Sequence, residues 1–385
     1  MPAVTLKAGI LPSTLTLIGV WIYMVASGFL VAEINIRMME RFGRPEVGLL
    51  TATQCCLGKG WALGASVLYV FLHYAMLVAY LSRGGEILTA AIAQAIRFPT
   101  TPPQWLGASS FACLLGSSLY FGSERFVGRL NSILTAGVVA SFCGILTLAL
   151  LDSAPGQPLY QNWTAASTAI PVMLVALVYH NVVPVVSTQL EGDGCKIRQA
   201  ILVGSAIPLL MFLAWNATIL SSVHLIGSGN FTEIPFDPLE WLQNGSANRW
   251  LSTTISIFSE LAIATSFVGF FYGLLNFFSE AFAIALPNPP KRSGIYALAL
   301  LPPIVLAAFI PNLFLTALDY AGTFGISVLF GILPAAIVWK QRDRDPAPET
   351  NRRSWLPGGK IALIVTIGIA AAVISEQLLT KTGLL

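Results

Sequence analysis

Three side chains able to exchange hydrogen bonds or a proton, Tyr179, His180 and Asn181, stand just before Pro184 inside an otherwise apolar run, 167–190. An imidazole titrates near neutral pH and can donate, accept or carry a proton. Pro184 has no N–H, so in a continuous helix the His180 carbonyl loses its partner, and the proline ring pushes against it. A kink or unwound turn is predicted at 180–184. In hydrocarbon an unpaired backbone group costs several kcal/mol, so a break is tolerated only where protein, water or a ligand fills it. Secondary transporters build substrate sites from helices interrupted at the bilayer midplane. The same residues also fit an ordinary proline kink whose histidine bonds a neighbouring helix.

A second pattern lies in 250–285. Ala262, Ser266, Gly269, Gly273, Asn276 and Glu280 recur at helical spacing and share one face. Small residues let backbones approach and polar ones bond across, so the stripe is either a packing seam or a pathway wall offering Ser266 and Asn276 to a ligand. Thr265 and Glu260 lie off it. In 61–96, Tyr80, Arg83 and Glu86 follow at spacings of three. Arg83 can pair with Glu86 or snorkel to the interface. Tyr69, His73, Met76 and Tyr80 share a face that either lines a cavity or packs.

Other chemistries find no support. The five cysteines show no metal-ligand spacing, the three histidines sit in different apolar runs, and there is no phosphate loop or nucleophile elbow. No metal, no cofactor and no catalytic set is expected, and the chain does not read as an enzyme. Sequons occur at Asn162, Asn230 and Asn244.

The elements that must position these residues are set by hydropathy. Charged residues are 10% of the chain and hydrophobic ones 55%, against roughly 25% charged in a soluble domain. Ten runs are long enough to cross a bilayer: 13–35, 61–96, 105–122, 130–151, 167–190, 199–226, 250–285, 294–314, 317–339 and 361–379. Sixteen of the 21 lysines and arginines fall in alternate gaps, which the positive-inside bias places in the cytoplasm or its organellar equivalent. The basic residues are dispersed over short loops, so the net charge of +3 points to no nucleic acid. The expectation is an all-α polytopic membrane protein, one transmembrane domain over 1–385, with the lipid bilayer as its partner. Pro208 and Pro334 are predicted to kink their runs, and Glu33 to lie at the cytoplasmic interface. With ten spans this charge pattern puts Met1 on the translocated side, although no signal segment precedes the first span.

His180-Asn-Val-Val-Pro184, Glu191-Gly192-Asp193 and Gly204-Ser-Ala-Ile-Pro208 resemble the bacterial and plastid tryptophan/tyrosine permeases of the hydroxy/aromatic amino acid permease group. The similarity continues through Trp215, Ala264–Gly269 and Gly273–Asn276, and earlier through Ala79–Ser82 with Gly85-Glu86; some stretches look closest to plant and algal members. The resemblance implies a leucine-transporter-type fold of two inverted five-helix repeats plus an eleventh helix. Met1–Thr5 looks like the tail of the family's first helix, so the expectation is a chain lacking that helix with ten transmembrane helices present. It implies a secondary transporter of an aromatic amino acid, tyrosine or tryptophan, working by alternating access and impaired by the loss. Tyr179, His180, Asn181, Pro184, Ser266, Asn276 and Tyr80 would form the substrate site. Coupling through Na⁺ at Thr265 and Ser266, or H⁺ at His180, stays open. The location implied is the plastid inner envelope, otherwise a plasma membrane. The rival reading is a non-transporting remnant or a regulatory partner of a full-length permease.

Overall fold

The computed structural model describes residues 2–43, 48–96, 103–152, 161–222, 249–285, 290–309, 314–344, 355–356 and 358–382. Asn230, Asn244, His224 and several basic loop residues lie outside them. Among the described residues every regular element is helical, and nine segments are long and apolar enough to cross a membrane. The predicted span 105–122 forms the shorter apolar helix Trp105–Phe121. The protein is an integral multi-pass membrane protein.

Internal contacts divide the chain into two interleaved units. The first comprises Met1–Ser13, His73–Ala165 and Met211–Leu318. The second comprises Thr14–Leu72, Ala166–Leu210 and Asp319–Leu385. In chain order the helices are α1 Pro2–Thr5, α2 Ile10–Phe42, α3 Leu49–Leu57, α4 Lys59–Ile96, α5 Gln104–Phe121 and α6 Glu124–Asp152. Then follow α7 Ile170–Ala176, α8 Val183–Gln189, α9 Gly194–Ser222, α10 Arg249–Ala285, α11 Arg292–Phe309 and α12 Phe314–Tyr320. A π-helical stretch, Ala321–Ile332, leads into α13 Leu333–Arg344, and α14 is Gly359–Lys381.

In the first unit α10 packs along α6, and Gly137 and Gly144 are the positions where Leu261 and Thr254 come close. α10 buries Ile263, Ala264, Phe267, Val268, Phe271, Leu274, Leu275 and Phe278. The small-residue stripe is therefore not its packing seam: Gly269 and Asn276 are exposed, and a Cβ on Gly269 would meet nothing within 4 Å. α4 crosses α5 where a Cβ on Gly85 would stand 2.5 Å from the Ala108 nitrogen, so Gly85 is a close-approach residue. Asn216 accepts from Thr5 Oγ1 at 2.5 Å and donates to Ser13 Oγ at 2.8 Å, all three buried. Its neighbour Trp215 joins Phe142, Ile145, Ile219 and Ile255 in an apolar cluster. α9 runs as one helix through Pro208.

In the second unit the π-helical stretch packs against α7 and α14. A Cβ on Gly322 would run into the Pro171 carbonyl, a backbone group that cannot step aside. Gly322→Ala is therefore expected to cost about 1–3 kcal/mol of stability as overpacking. Melting of the purified protein against Gly269→Ala, where there is space, checks this; equal melting of the two contradicts it.

The Glu191-Gly192-Asp193 motif is a helix-to-helix corner. Its first two residues take left-handed φ of 51° and 76°, and Gly192 N–H caps α8 by bonding the Ser187 carbonyl at 3.0 Å. Asp193 Oδ1 then accepts from the Cys195 and Lys196 N–H groups at the start of α9. The hydrogen bond from the Lys196 side chain holds its carboxyl below the usual range.

Glu33 is buried inside the protein. It is 2% exposed and accepts from Arg342 through both oxygens, at 3.1 and 2.8 Å, and from Arg37 at 2.8 Å. This three-residue ion cluster ties α2 to α13 at the predicted cytoplasmic end.

Candidate functional site

The run 167–190 is interrupted from 177 to 182, overlapping the expected 180–184 but starting earlier. α7 ends at Ala176, residues 177–179 are not helical, and a short 3₁₀ turn His180–Val182 leads into α8. Pro184 is the second residue of α8, where no N–H is required, so it starts a helix instead of kinking one. The His180 carbonyl, expected to be orphaned, accepts from Val183 N–H. The orphans lie one turn earlier. Among the described residues, the carbonyls of Ala176, Leu177 and Val178 accept no hydrogen bond, and the Tyr179 and His180 N–H groups donate none.

Side chains of the same unit hold the gap in place. Tyr179 Oη donates to the Met24 carbonyl at 3.1 Å, and its ring lies against Gly28, where a Cβ would stand 2.5 Å from that oxygen. Tyr179 stacks on His180 at 4.9 Å between centroids, and His180 stacks on Phe330 at 4.7 Å. His180 is 1% exposed.

Its tautomer follows from its partners. Ser27 Oγ donates its single hydrogen to the Phe330 carbonyl. Toward His180 Nε2, 3.1 Å away, that oxygen can then act only as an acceptor, so Nε2 carries the hydrogen. In the neutral ring Nδ1 keeps its lone pair, and it has no hydrogen-bond partner among the described residues. Three main-chain acceptors, two main-chain donors and one imidazole lone pair are thus open around a single helix break. Asn181 and Pro184 flank it, half-buried.

The first unit brings together Tyr80 and Ser266, whose hydroxyls interact beside Phe270, itself 5.9 Å from the Tyr80 ring. His73 packs on Phe270 at 5.3 Å, and with buried Tyr69 and Met76 it belongs to the packing face. Asn276 does not join Tyr80 and Ser266: ten residues further along α10 is about 15 Å, and it is exposed. Thr265 Oγ1 bonds back to the Leu261 and Ala262 carbonyls at 3.0 and 2.9 Å. Arg83 pairs with Glu86 at 3.2 Å. Sequence reasoning missed Ser27, Gly28 and Phe330. Their roles depend on neighbours 150 or more residues away, such as the Ser27–His180 separation of 153.

A many-spanning helical protein with one span broken around unpaired main-chain groups and a buried histidine has the build of a membrane transporter. A profile of the tryptophan/tyrosine permease family matches residues 1–375, and the chain belongs to that family. It is therefore a permease-family protein and not an enzyme. It is 28% identical over 400 residues to the tyrosine-specific transport system 2 of Haemophilus influenzae, covering 100% of this chain and 93% of that protein. A tryptophan-specific transport protein of the same organism is 25% identical, covering 96% and 89%. One from Shigella flexneri is 27% identical, covering 97% and 89%.

Proposed function

We propose that the chain is a secondary transporter of aromatic amino acids, tyrosine or tryptophan, working by alternating access, and that the break at 177–180 holds the substrate's charged ends. The observation that carries this reading is the set of open groups around that break. An ammonium group needs acceptors, which the carbonyls of Ala176, Leu177 and Val178 supply. A carboxylate needs donors, which the Tyr179 and His180 N–H groups supply. Burying both ends without such partners would cost several kcal/mol, so a zwitterion is selected by the cost of leaving them unmet. The names of the relatives support an aromatic side chain on that zwitterion.

The geometry favours H⁺ over Na⁺ as the coupling ion. His180 Nδ1 has an open lone pair in reach of the break, whereas the Thr265 hydroxyl is turned onto its own helix. A proton arriving at Nδ1 converts an acceptor into a donor beside the substrate and so changes what the break can hold.

The test is uptake of labelled tyrosine and tryptophan by proteoliposomes under an imposed pH or Na⁺ gradient. Uptake driven by the pH gradient is expected. Correctly inserted protein that takes up neither amino acid rejects the transport reading; drive by Na⁺ alone rejects the proton assignment. His180→Ala is expected to weaken apparent affinity roughly 10- to 100-fold. His180→Gln keeps a donor for Ser27 but no titratable nitrogen, and should bind substrate while losing the response to the pH gradient. An unchanged response in that variant removes His180 from coupling.

A further inference from the structure

In the second unit α4 and the π-helix/α13 rod lie side by side and antiparallel. Two contacts bracket them: on α4 Leu72 is met by Gly325, where a Cβ would stand 3.0 Å from that side chain, and just before α4 begins Gln341 Nε2 reaches Cys56 Sγ, on α3, at 3.5 Å. Between these points the rods part and leave a groove of about 320 Å³. Its walls have the same spacing on both sides: Gly60, Gly64 and Leu68 on one rod, Val328, Ile332 and Ala336 on the other. Over eight residues at 1.5 Å each, the groove runs about 12 Å along the rods. Gly60 and Gly64 keep it open, since a Cβ on either would meet nothing within 4 Å.

Every lining side chain is apolar, and the single polar group among them is the indole N–H of Trp61, which is 59% exposed at the cytoplasmic end. An indole at that level is typical of the lipid headgroup boundary. The same end is basic. Lys59 adjoins Gly60 and Lys340 lies one helical turn beyond Ala336; both are exposed, and neither is in an ion pair among the described residues. Arg344 reaches the Cys55 carbonyl at 3.4 Å, so it stands at this end as well. The nearby Asp343 is neutralised by Lys360 at 2.9 Å.

The geometry points to a bound phospholipid with an anionic headgroup, one acyl chain lying in the groove and its phosphate between Lys59 and Lys340. An apolar slot with a cationic mouth at the membrane surface matches that ligand in both charge and polarity. A second copy of the chain would need a much longer face than 12 Å of groove to form a stable interface. This inference is independent of the substrate and coupling ion proposed above.

Native mass spectrometry of the purified full chain in detergent tests it, with phosphatidylglycerol and phosphatidylcholine supplied in turn. One tightly held phosphatidylglycerol per chain is expected, favoured over phosphatidylcholine. The double variant Lys59→Gln/Lys340→Gln should lose about 10- to 30-fold of that preference, at roughly 1 kcal/mol per lysine. Gly64→Leu should block the slot and release both lipids, its fold verified by monodispersity and an unchanged melting temperature. Four results would overturn the assignment: equal retention of the two lipids, an undiminished adduct in folded Gly64→Leu, a free fatty acid as the retained species, or a dimer in its place.

Discussion

Gly28→Val is expected to cut tyrosine uptake by about 100-fold, although Gly28 itself needs to touch no substrate. A Cβ there would stand 2.5 Å from Tyr179 Oη and 3.0 Å from two atoms of its ring, so the ring must move. Moving it breaks the bond to the Met24 carbonyl and disturbs the His180 ring stacked on it at 4.9 Å. The unpaired main-chain groups at 176–180 would shift with them, and misplacement by about 1 Å is enough for an effect of that size. Gly19→Val on the same helix is the control, because a Cβ at Gly19 meets nothing within 4 Å. Uptake measured at matched amounts of inserted protein checks the pair. Wild-type uptake by Gly28→Val would mean that Tyr179 does not position the break.

The second large effect concerns stability. Glu33→Gln leaves the half-buried guanidinium of Arg342 without its counter-charge and is expected to cost about 3 kcal/mol. The carboxylate side chain is 3% exposed and that of Arg342 16%, so solvent screens the pair little. Arg342→Lys should cost less, since the charge stays while the two-point geometry is lost. In the double variant Glu33→Gln/Arg342→Gln no unmatched charge remains at that pairing, and its loss should fall well short of the sum of the single losses. Melting curves in one detergent read all three variants. A Glu33→Gln protein that melts with the wild type would show that the cluster contributes nothing to the fold.

The spans were legible because apolar length and charge placement are physical requirements of a bilayer. The break in 167–190 was legible for a similar reason: a proline among polar residues cannot sit in lipid unanswered. Its start was placed about one turn too late, since Pro184 can serve a helix start as readily as it can damage a helix middle, and sequence does not say which. The small-residue stripe on α10 could not be resolved between packing seam and pathway wall for another reason. In lipid both faces of a helix are apolar, so the face carrying Phe267, Phe271 and Phe278 could not be told apart as the buried one. The burial and pairing of Glu33 were not legible, because its partner Arg342 stands 309 residues away. The requirement for glycine at 28 and 322 depends in the same way on Tyr179 and Pro171, which reach those positions only through the tertiary fold.

The atoms left open at the interruption belong to the peptide chain itself. No exchange of one side chain for another deletes a carbonyl at Ala176, Leu177 or Val178, so the ligand capture proposed there would be insulated from drift in the identities of those residues. What can abolish it is a change that redirects the strand of atoms: bulk at Gly28, or a proline at 179 or 180 that erases a donor outright. Variation within 176–178 should accordingly be silent toward the ligand's polar ends, and differences in selectivity must come from whatever surrounds its ring.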